Sequence, residues 1–442
     1  MPPEAQVRQM TMQLMQADAT TVNLPAKHQS LLRRLDEFKL SARPGHLSLA
    51  LLADDEPVFL EYEGPASLQE VEAAHSSCVQ AGCFAKPVTA SLLADAVEAG
   101  HVDWATPIGE VVGAGEVVAD RLAGISLFHL LTHTHGLDAS SVEEVPRTQG
   151  LIDAKALCEQ LPTRSLSAPG ELYSYGNAGA WLAGAALERL AGAPYSELVA
   201  ASPYIAIGVA PGHSPPSMCP ATGGNLALTA AQWLSFTRLH MSSSPSAAGS
   251  PTVRHFAPLV SSPVPLPGWS PTEQAACLGW KCYGDGWFGH TSTTATSIAF
   301  LRFNPTGRIA LVLSATTELA PFAFSFLFRD SLPELKKVKF PRLLMRSERE
   351  SPPLDRYIGT YTQSKTRIGI TGTHEGWLSF CVESDDPSSR VPAHTPTAAE
   401  NDIFFPDGRR APDFPFIQFL RSAGDRSCNY IWNGKHLWRR AE

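Results

Sequence analysis

Two strand pairs lie at opposite ends of a long helical stretch, and this arrangement limits the fold more than any other feature of the chain. HLSLALLADDEPVFLEYEG, starting at His46, holds two apolar runs broken at Asp54-Asp55 and closed at Gly64, which predicts a β-hairpin or a pair of adjacent strands. TSIAFLRFNPTGRIALVLSAT, from Thr296 to Thr316, holds two more around Asn304-Pro305-Thr306-Gly307, a strong turn signal. A short amphipathic helix is expected over Leu32 to Leu40, ahead of the first pair. Between the pairs, Val88, Leu92, Leu93, Ala96 and Val97 recur at helical spacing, with Gly100 as a C-cap. Ile125 to Leu137 is a second helical run ending at Gly136, and Ala178 to Gly192 a third, apolar nearly all round and so expected to be buried. Leu226 to His240 is a fourth, with Thr229 placed as its N-cap. Helices enclosed by an early and a late hairpin predict one antiparallel sheet in which the first and last strands meet, an α/β (α+β) architecture.

The tail has a different texture. Pro333 to Pro353 is charged and bounded by prolines, as linkers are. Beyond it come YIGTYTQSKTRIGITGTHEGWLSFCV, NDIFFPDG, FPFIQFLRSAG and NYIWNGKHLWRR, short alternating runs punctuated by Gly, Asp and Asn. That pattern predicts a small all-β barrel or sandwich.

Charge and hydropathy exclude several classes of partner. With 35 Lys and Arg against 43 Asp and Glu the net charge is −8, and no long basic run offers a nucleic acid or an anionic membrane a docking stripe. No stretch approaches the roughly 18 to 20 apolar residues of a membrane span. The first residues, MPPEAQVRQMTMQLMQADATT, lack the basic start, apolar core and small-residue cleavage site of a secretory signal, so a cytoplasmic location is expected. The eight cysteines are scattered without a C-x-x-C pair, as expected of reduced thiols, and neither a metal site nor a cofactor is implied.

Three short motifs carry chemistry. Cys83-Phe84-Ala85-Lys86-Pro87 opens the first long helix, where a thiol meets the positive end of the helix dipole and Lys86 lies on the same face. A lysine so placed lowers a thiol pKa or accepts its proton. Tyr173-Ser174-Tyr175-Gly176-Asn177 precedes the third helix and presents a hydroxyl and an amide two residues apart. Gly289-His290-Thr291-Ser292 stands at the entry to the late strand pair. Each alone is a weak signal, readable as a buried Cys beside a surface Lys, a packing Tyr in a turn, and an incidental His on an edge strand.

Together, in this order, they resemble the serine β-lactamase and penicillin-binding-protein-like superfamily, in its class C β-lactamase, esterase and D-aminopeptidase branch. The resemblance rests on GCFAKPVTASLLADAVEAGHVDWATPIGE, ISLFHLLTHTHGL, LYSYGNAGAWLAGAALERLAGAPYSELV, GGNLALTAAQWLSF with LGW, and FGHTS. It covers most of Leu32 to about Leu332, while the tail from Leu354 resembles the lipocalin-like barrel that some members carry. It implies a β-lactamase-like catalytic domain over residues 1–335, a linker over 336–353 and a β-barrel-like domain over 354–442. It also implies catalytic roles for Cys83, Lys86 and Tyr175, and a substrate-binding or oxyanion role for Asn177, His290, Thr291, Ser292 and Thr293. The backbone N–H groups of Cys83 and Thr293 would form the oxyanion hole.

Two departures from the family pattern bear on function. Cys83 stands where the family has Ser, and Ser292 where it has Gly, which is expected to narrow or redirect the cleft. Three readings of Cys83 are open: a working thiol nucleophile, a relic in a silenced site, or an engineered replacement of Ser. Retention of Lys86, Tyr175 and Asn177 favours the first. The implied chemistry is a covalent acyl-enzyme formed from an ester, thioester or amide of a small or peptide-like metabolite, free or bound to a carrier protein. A thioester intermediate is open to amines, thiols and carbon nucleophiles, which tilts the outcome from hydrolysis towards transfer or cyclisation. The opposing reading is a β-lactamase-like binding or scaffold protein without turnover, or an enzyme doing non-acyl acid–base chemistry in the same cleft.

Overall fold

A computed structural model of the chain describes residues 45–53, 56–63, 69–70, 78–113, 115–138, 146–202, 210–211, 221, 226–241, 259–270, 273–294, 296–317, 319–324, 354–363, 366–373, 378–384, 391–394, 397–398, 402–405, 417–421, 428–433 and 435–441. The helix expected over Leu32 to Leu40 and the linker over 336–353 lie outside the described residues.

The first sheet has nine antiparallel strands: β1 (His46–Ala53), β2 (Glu56–Glu63), β3 (Gln69–Glu70), β4 (Val264–Pro265), β5 (Ala275–Ala276), β6 (Lys281–Gly284), β7 (Trp287–Thr293), β8 (Ser297–Asn304) and β9 (Ile309–Thr316). Their spatial order is β3-β2-β1-β9-β8-β7-β6-β5-β4. The two hairpins are neighbours as expected, with β1 paired to β9 from Leu47–Ala315 to Ala53–Ile309. The turn between β8 and β9 is closed by the Gly307 N–H, which donates to Asn304 Oδ1 at 2.8 Å.

Side-chain alternation sends the two faces of this sheet to two cores. Leu47, Leu49 and Leu51 join Leu311 and Leu313 on one face, where helix Ala320–Phe324 packs. Ala50 and Leu52 join Ala310, Val312, Leu301 and Phe303 on the other, beneath the helices. Four helices matter to the site: α1 (Ala85–Glu98), α2 (Leu127–Leu131), α3 (Ala178–Ala191) and α4 (Ala230–Met241). α1 is followed by Gly100 in the left-handed region, and α3 is almost wholly buried and capped by left-handed Gly192.

Two of the expected helices are shorter than their apolar pattern. α2 ends at Leu131 because Thr132 turns its hydroxyl back onto Phe128 O at 2.7 Å and His133 takes a left-handed φ of 57°. α4 starts at Ala230: Leu226–Thr229 is a strand paired with Cys78–Gln80, and Thr229 caps the helix through its Oγ1, which accepts from Gln232 N–H at 3.2 Å. α2 and α3 meet closely at Gly179, where a Cβ would come within 2.6 Å of Leu130 O. That approach brings His133 onto the segment leading into α3.

The second sheet is also nine-stranded and antiparallel, from β10 (Gly359–Gln363) through β11 (Thr366–Gly372), β12 (Leu378–Ser384), β13 (Val391–His394), β14 (Thr397–Ala398), β15 (Ile403–Phe405), β16 (Ile417–Leu420), β17 (Tyr430–Trp432) and β18 (Leu437–Arg440). Its order is β13-β12-β11-β10-β18-β17-β16-β15-β14. The two edge strands are consecutive in the chain with two residues between them, so the sheet curls round to bring its edges together. Aromatic side chains of Tyr357, Tyr361, Phe380, Phe404 and Phe419 fill its interior.

Candidate active site

Cys83 sits in a single 3₁₀ turn, Gly82–Phe84, that runs directly into α1. Strand Cys78–Gln80 delivers the chain to this turn, and the Phe84 N–H donates to Ala81 O at 2.8 Å to close it. The thiol therefore lies at the N-terminal, electropositive end of a 14-residue helix. One helical turn on, Lys86 is buried, and its Nζ donates to Asn177 Oδ1 at 3.0 Å. Asn177 is the residue from which α3 starts.

Tyr175 lies between these groups. Its hydroxyl faces the Cys83 thiol and, the thiol aside, has no hydrogen-bond partner among the described residues. Three ammonium groups surround its ring: Lys86, Lys281 and Lys435 have their Nζ atoms 4.9, 4.8 and 4.9 Å from the ring centroid. Lys281, on β6, is paired with Glu273 at 2.5 Å. Lys435 comes from the turn between β17 and β18 of the second sheet and keeps solvent-exposed surface at the rim.

The backbone of Tyr175 is held by that same turn. Its N–H donates to Lys435 O at 2.9 Å, its carbonyl accepts from His436 Nδ1 at 3.0 Å, and Ser174 Oγ accepts the Leu437 N–H at 3.2 Å. On the other side the ring of His133 lies 4.5 Å from that of Tyr175, and His133 Nδ1 accepts the Gly176 N–H at 3.4 Å. Tyr173, Tyr175, Trp432 and Leu437 share one apolar cluster, against which Cys83 packs.

The electrostatics separate the roles. Burial pushes the Cys83 thiol up, but Lys86, the Tyr175 hydroxyl, Lys435 and Lys281 outweigh it and hold the thiol below its ordinary range. Burial, then the nearby thiol, pushes Tyr175 well above the ordinary phenol value, so it is a neutral O–H donor. Burial holds His133 and His290 well below the usual imidazole range, and His436 is held at about 4. All three rings are neutral near pH 7. The Nδ1 of His290 donates to Thr291 O at 2.9 Å, leaving its Nε2 as an acceptor.

Strand β7 packs on the nucleophile turn and forms the wall of the cleft. His290 is buried with its ring 6.0 Å from Tyr175, and Thr293 is exposed at the strand end. Thr291 does not line the cleft: alternation turns it to the opposite face, where its Oγ1 accepts from Arg302 Nη2 at 2.8 Å. Ser292 is buried with its hydroxyl against Gly82, so it packs on the nucleophile turn rather than narrowing the open part of the cleft. Gly82 is doubly constrained, by a φ of +44° and by Ser292. Gly82→Ala should therefore destabilise the fold by about 2 kcal/mol or more, measured by urea denaturation. Adding Ser292→Gly should recover the packing part of that loss.

The residues thus brought together are Cys83, Lys86, Tyr175, Asn177 and His290. Lys281, Glu273, Lys435, His436 and His133 complete the surroundings and escaped the sequence reading. His133 and Lys281 lie within or beside quoted blocks, HTHGL and LGW. Nothing in NGKHLW says that the tail reaches the cleft.

A protein-family model described as Beta-lactamase matches residues 37–204, which hold Cys83, Lys86, Tyr175 and Asn177. SurE, solved with D-Leu, superposes with a TM-score of 0.73 at 20% identity, over 94% of this chain and all of that one. The fold is that of the β-lactamases and penicillin-binding proteins. A D-alanine carboxypeptidase AmpC from Burkholderia cenocepacia shares this β-lactamase-like fold with a TM-score of 0.52 at 18% identity, over 68% of this chain and 99% of that one. A D-stereospecific amidohydrolase from Streptomyces sp. gives 0.50 at 16%, over 68% and 98%. Coverage of 94% by SurE takes in the second sheet as well as the first. No curated protein matches the chain in sequence. Among the described residues, no helix is long and apolar enough to cross a membrane.

Proposed function

We propose that this chain is a cysteine-dependent acyl-transfer enzyme working through an acyl-thioester on Cys83. The observation that carries the reading is the electrostatic setting of that thiol: a helix N-terminus, three lysines and a neutral tyrosine hydroxyl, with one carboxylate, Glu273, on Lys281. An inert buried cysteine gains nothing from such surroundings. Cys158, Cys277 and Cys428, away from the cleft, are pushed up to about 11, 12 and 11 by burial.

In the first half-reaction the Cys83 thiolate attacks the carbonyl carbon of an ester, thioester or amide. The oxyanion forms against the backbone N–H groups of Cys83 and Thr293. As the bond to the leaving group breaks, that group takes the Tyr175 hydroxyl proton, and Lys86 returns a proton to Tyr175. In the second half an amine, or water, attacks the acyl-thioester and gives its proton to Lys86, and Cys83 departs as thiolate. Proton and charge return to their starting places. Asn177 fixes Lys86 and offers its amide to the substrate, and His290 lines the wall.

Acyl groups of D-configured amino acids or peptides are the proposed donors. Three structural neighbours, SurE solved with D-Leu, a D-alanine carboxypeptidase and a D-stereospecific amidohydrolase, support that class. The test is a panel of D- and L-aminoacyl thioesters incubated with and without an added amine, with products read by mass spectrometry. The D-donors should give amide product when amine is present and acid when it is absent. No turnover of any donor would favour a binding protein, and equal use of both enantiomers would remove the stereochemical part.

A further inference from the structure

Of the three ammonium groups around Tyr175, two have evident partners: Lys86 is bonded to Asn177 and Lys281 to Glu273. The third, Lys435, has no carboxylate partner among the described residues, yet its Nζ lies as close to the Tyr175 ring as the others do. It arrives on a turn that also grips both backbone groups of Tyr175 and the hydroxyl of Ser174. Trp432 and Trp269 anchor the turn from below, the Trp432 indole N–H donating to Trp269 O at 3.0 Å. A separate accessory domain would leave the cleft without these contacts.

We infer that Lys435 and His436, between β17 and β18 of the second sheet, are a working part of the Cys83 site, their backbone and ring fixing Tyr175 and the Lys435 ammonium acting as a second countercharge for the thiolate. The inference rests on Cys83 being the nucleophile. Lys435 is a positioning residue: it touches Tyr175, and its charge acts across the ring on the thiol. The groups facing the thiol are Lys86 from α1, Tyr175 from the segment before α3, Lys281 with Glu273 from the β5–β6 side, and Lys435. The neighbouring histidines are neutral near pH 7. Burial lowers the Lys435 ammonium below its ordinary value, the Cys83 thiolate opposes that shift, and the other two lysines add to it. Because Lys435 is partly in solvent, its effect is screened and should be smaller than that of Lys86.

The test is the pH profile of Cys83 alkylation by iodoacetamide, followed on the Cys83 peptide by mass spectrometry in the full chain. The variants are Lys435→Met, Lys435→Arg and Lys86→Met. Side-chain changes at 435 leave its carbonyl in place for Tyr175, and near-ultraviolet circular dichroism checks the fold. The wild-type midpoint should lie below the ordinary thiol value near 8.5. Lys435→Met should raise it by about half a pH unit, Lys86→Met by more, and Lys435→Arg should restore it. An unchanged midpoint in Lys435→Met beside a shifted one in Lys86→Met would overturn the role of Lys435 and leave the nucleophile standing. Equal rises in the Met and Arg variants would overturn the charge argument. A wild-type midpoint at or above the ordinary value would instead remove the thiolate nucleophile itself.

Discussion

Lys86→Met should slow acylation of Cys83 by about a thousandfold, because it removes the main charge holding the thiol down and the group that returns the proton to Tyr175. Burial alone favours the neutral thiol, and without the Lys86 ammonium that influence is opposed by Tyr175, Lys435 and Lys281 and by the N-terminus of α1. The sign follows: the thiolate is the reactive form, so raising its pKa lowers the fraction present at pH 7. The loss should therefore shrink as pH rises and the thiol ionises unaided. A drop independent of pH would assign Lys86 to proton transfer alone. Asn177 also loses its partner in this variant, and Asn177→Ala measures that contribution separately.

Cys83→Ser should keep the fold and lose about a hundredfold or more in acylation, while shifting product from amide to acid. A serine hydroxyl stays protonated at pH 7 and needs a base that accepts its proton during attack. Tyr175, pushed up by burial, is a donor and not that base. The oxygen ester that does form is the poorer acyl donor to amines, so water competes better. The measurement is the amide-to-acid ratio at fixed amine concentration. A serine variant with equal rate and equal ratio would mean that the surroundings do not depend on sulfur.

The hairpin pairing was legible in the sequence because it rests on local signals, whereas Cys83, Lys86, Tyr175 and Asn177 were legible only through the order in which their individually weak motifs occur, which resembles a known family. Apolar runs broken by turn signals mark β1, β2, β8 and β9, helical spacing marks α1 and α3, and the Cys83–Lys86 and Tyr175–Asn177 motifs sit at the starts of those two helices. Where tertiary contacts decide, the apolar pattern misleads. Ala227 and Leu228 read as helix, yet pair with Gln80 and Val79 because the chain entering the nucleophile turn offers them a strand. His133 reads as helical and is turned into the left-handed region where it meets Tyr175 and Gly176. Thr291 and Ser292 illustrate how one residue of register assigns a side chain to opposite faces. Lys435 and His436 were illegible for a different reason: they lie some 260 residues from Tyr175 in a tail with no motif, and only the docking of the second sheet joins them.

The most direct measurement is the intact mass of the protein after brief exposure to a D-aminoacyl thioester, with the modified peptide then identified. One acyl group per chain is expected, located on Cys83 and discharged by added amine. Cys83→Ala should carry none. Acylation elsewhere in the chain, or product formed by Cys83→Ala at the wild-type rate, would contradict the assignment of Cys83 as the nucleophile.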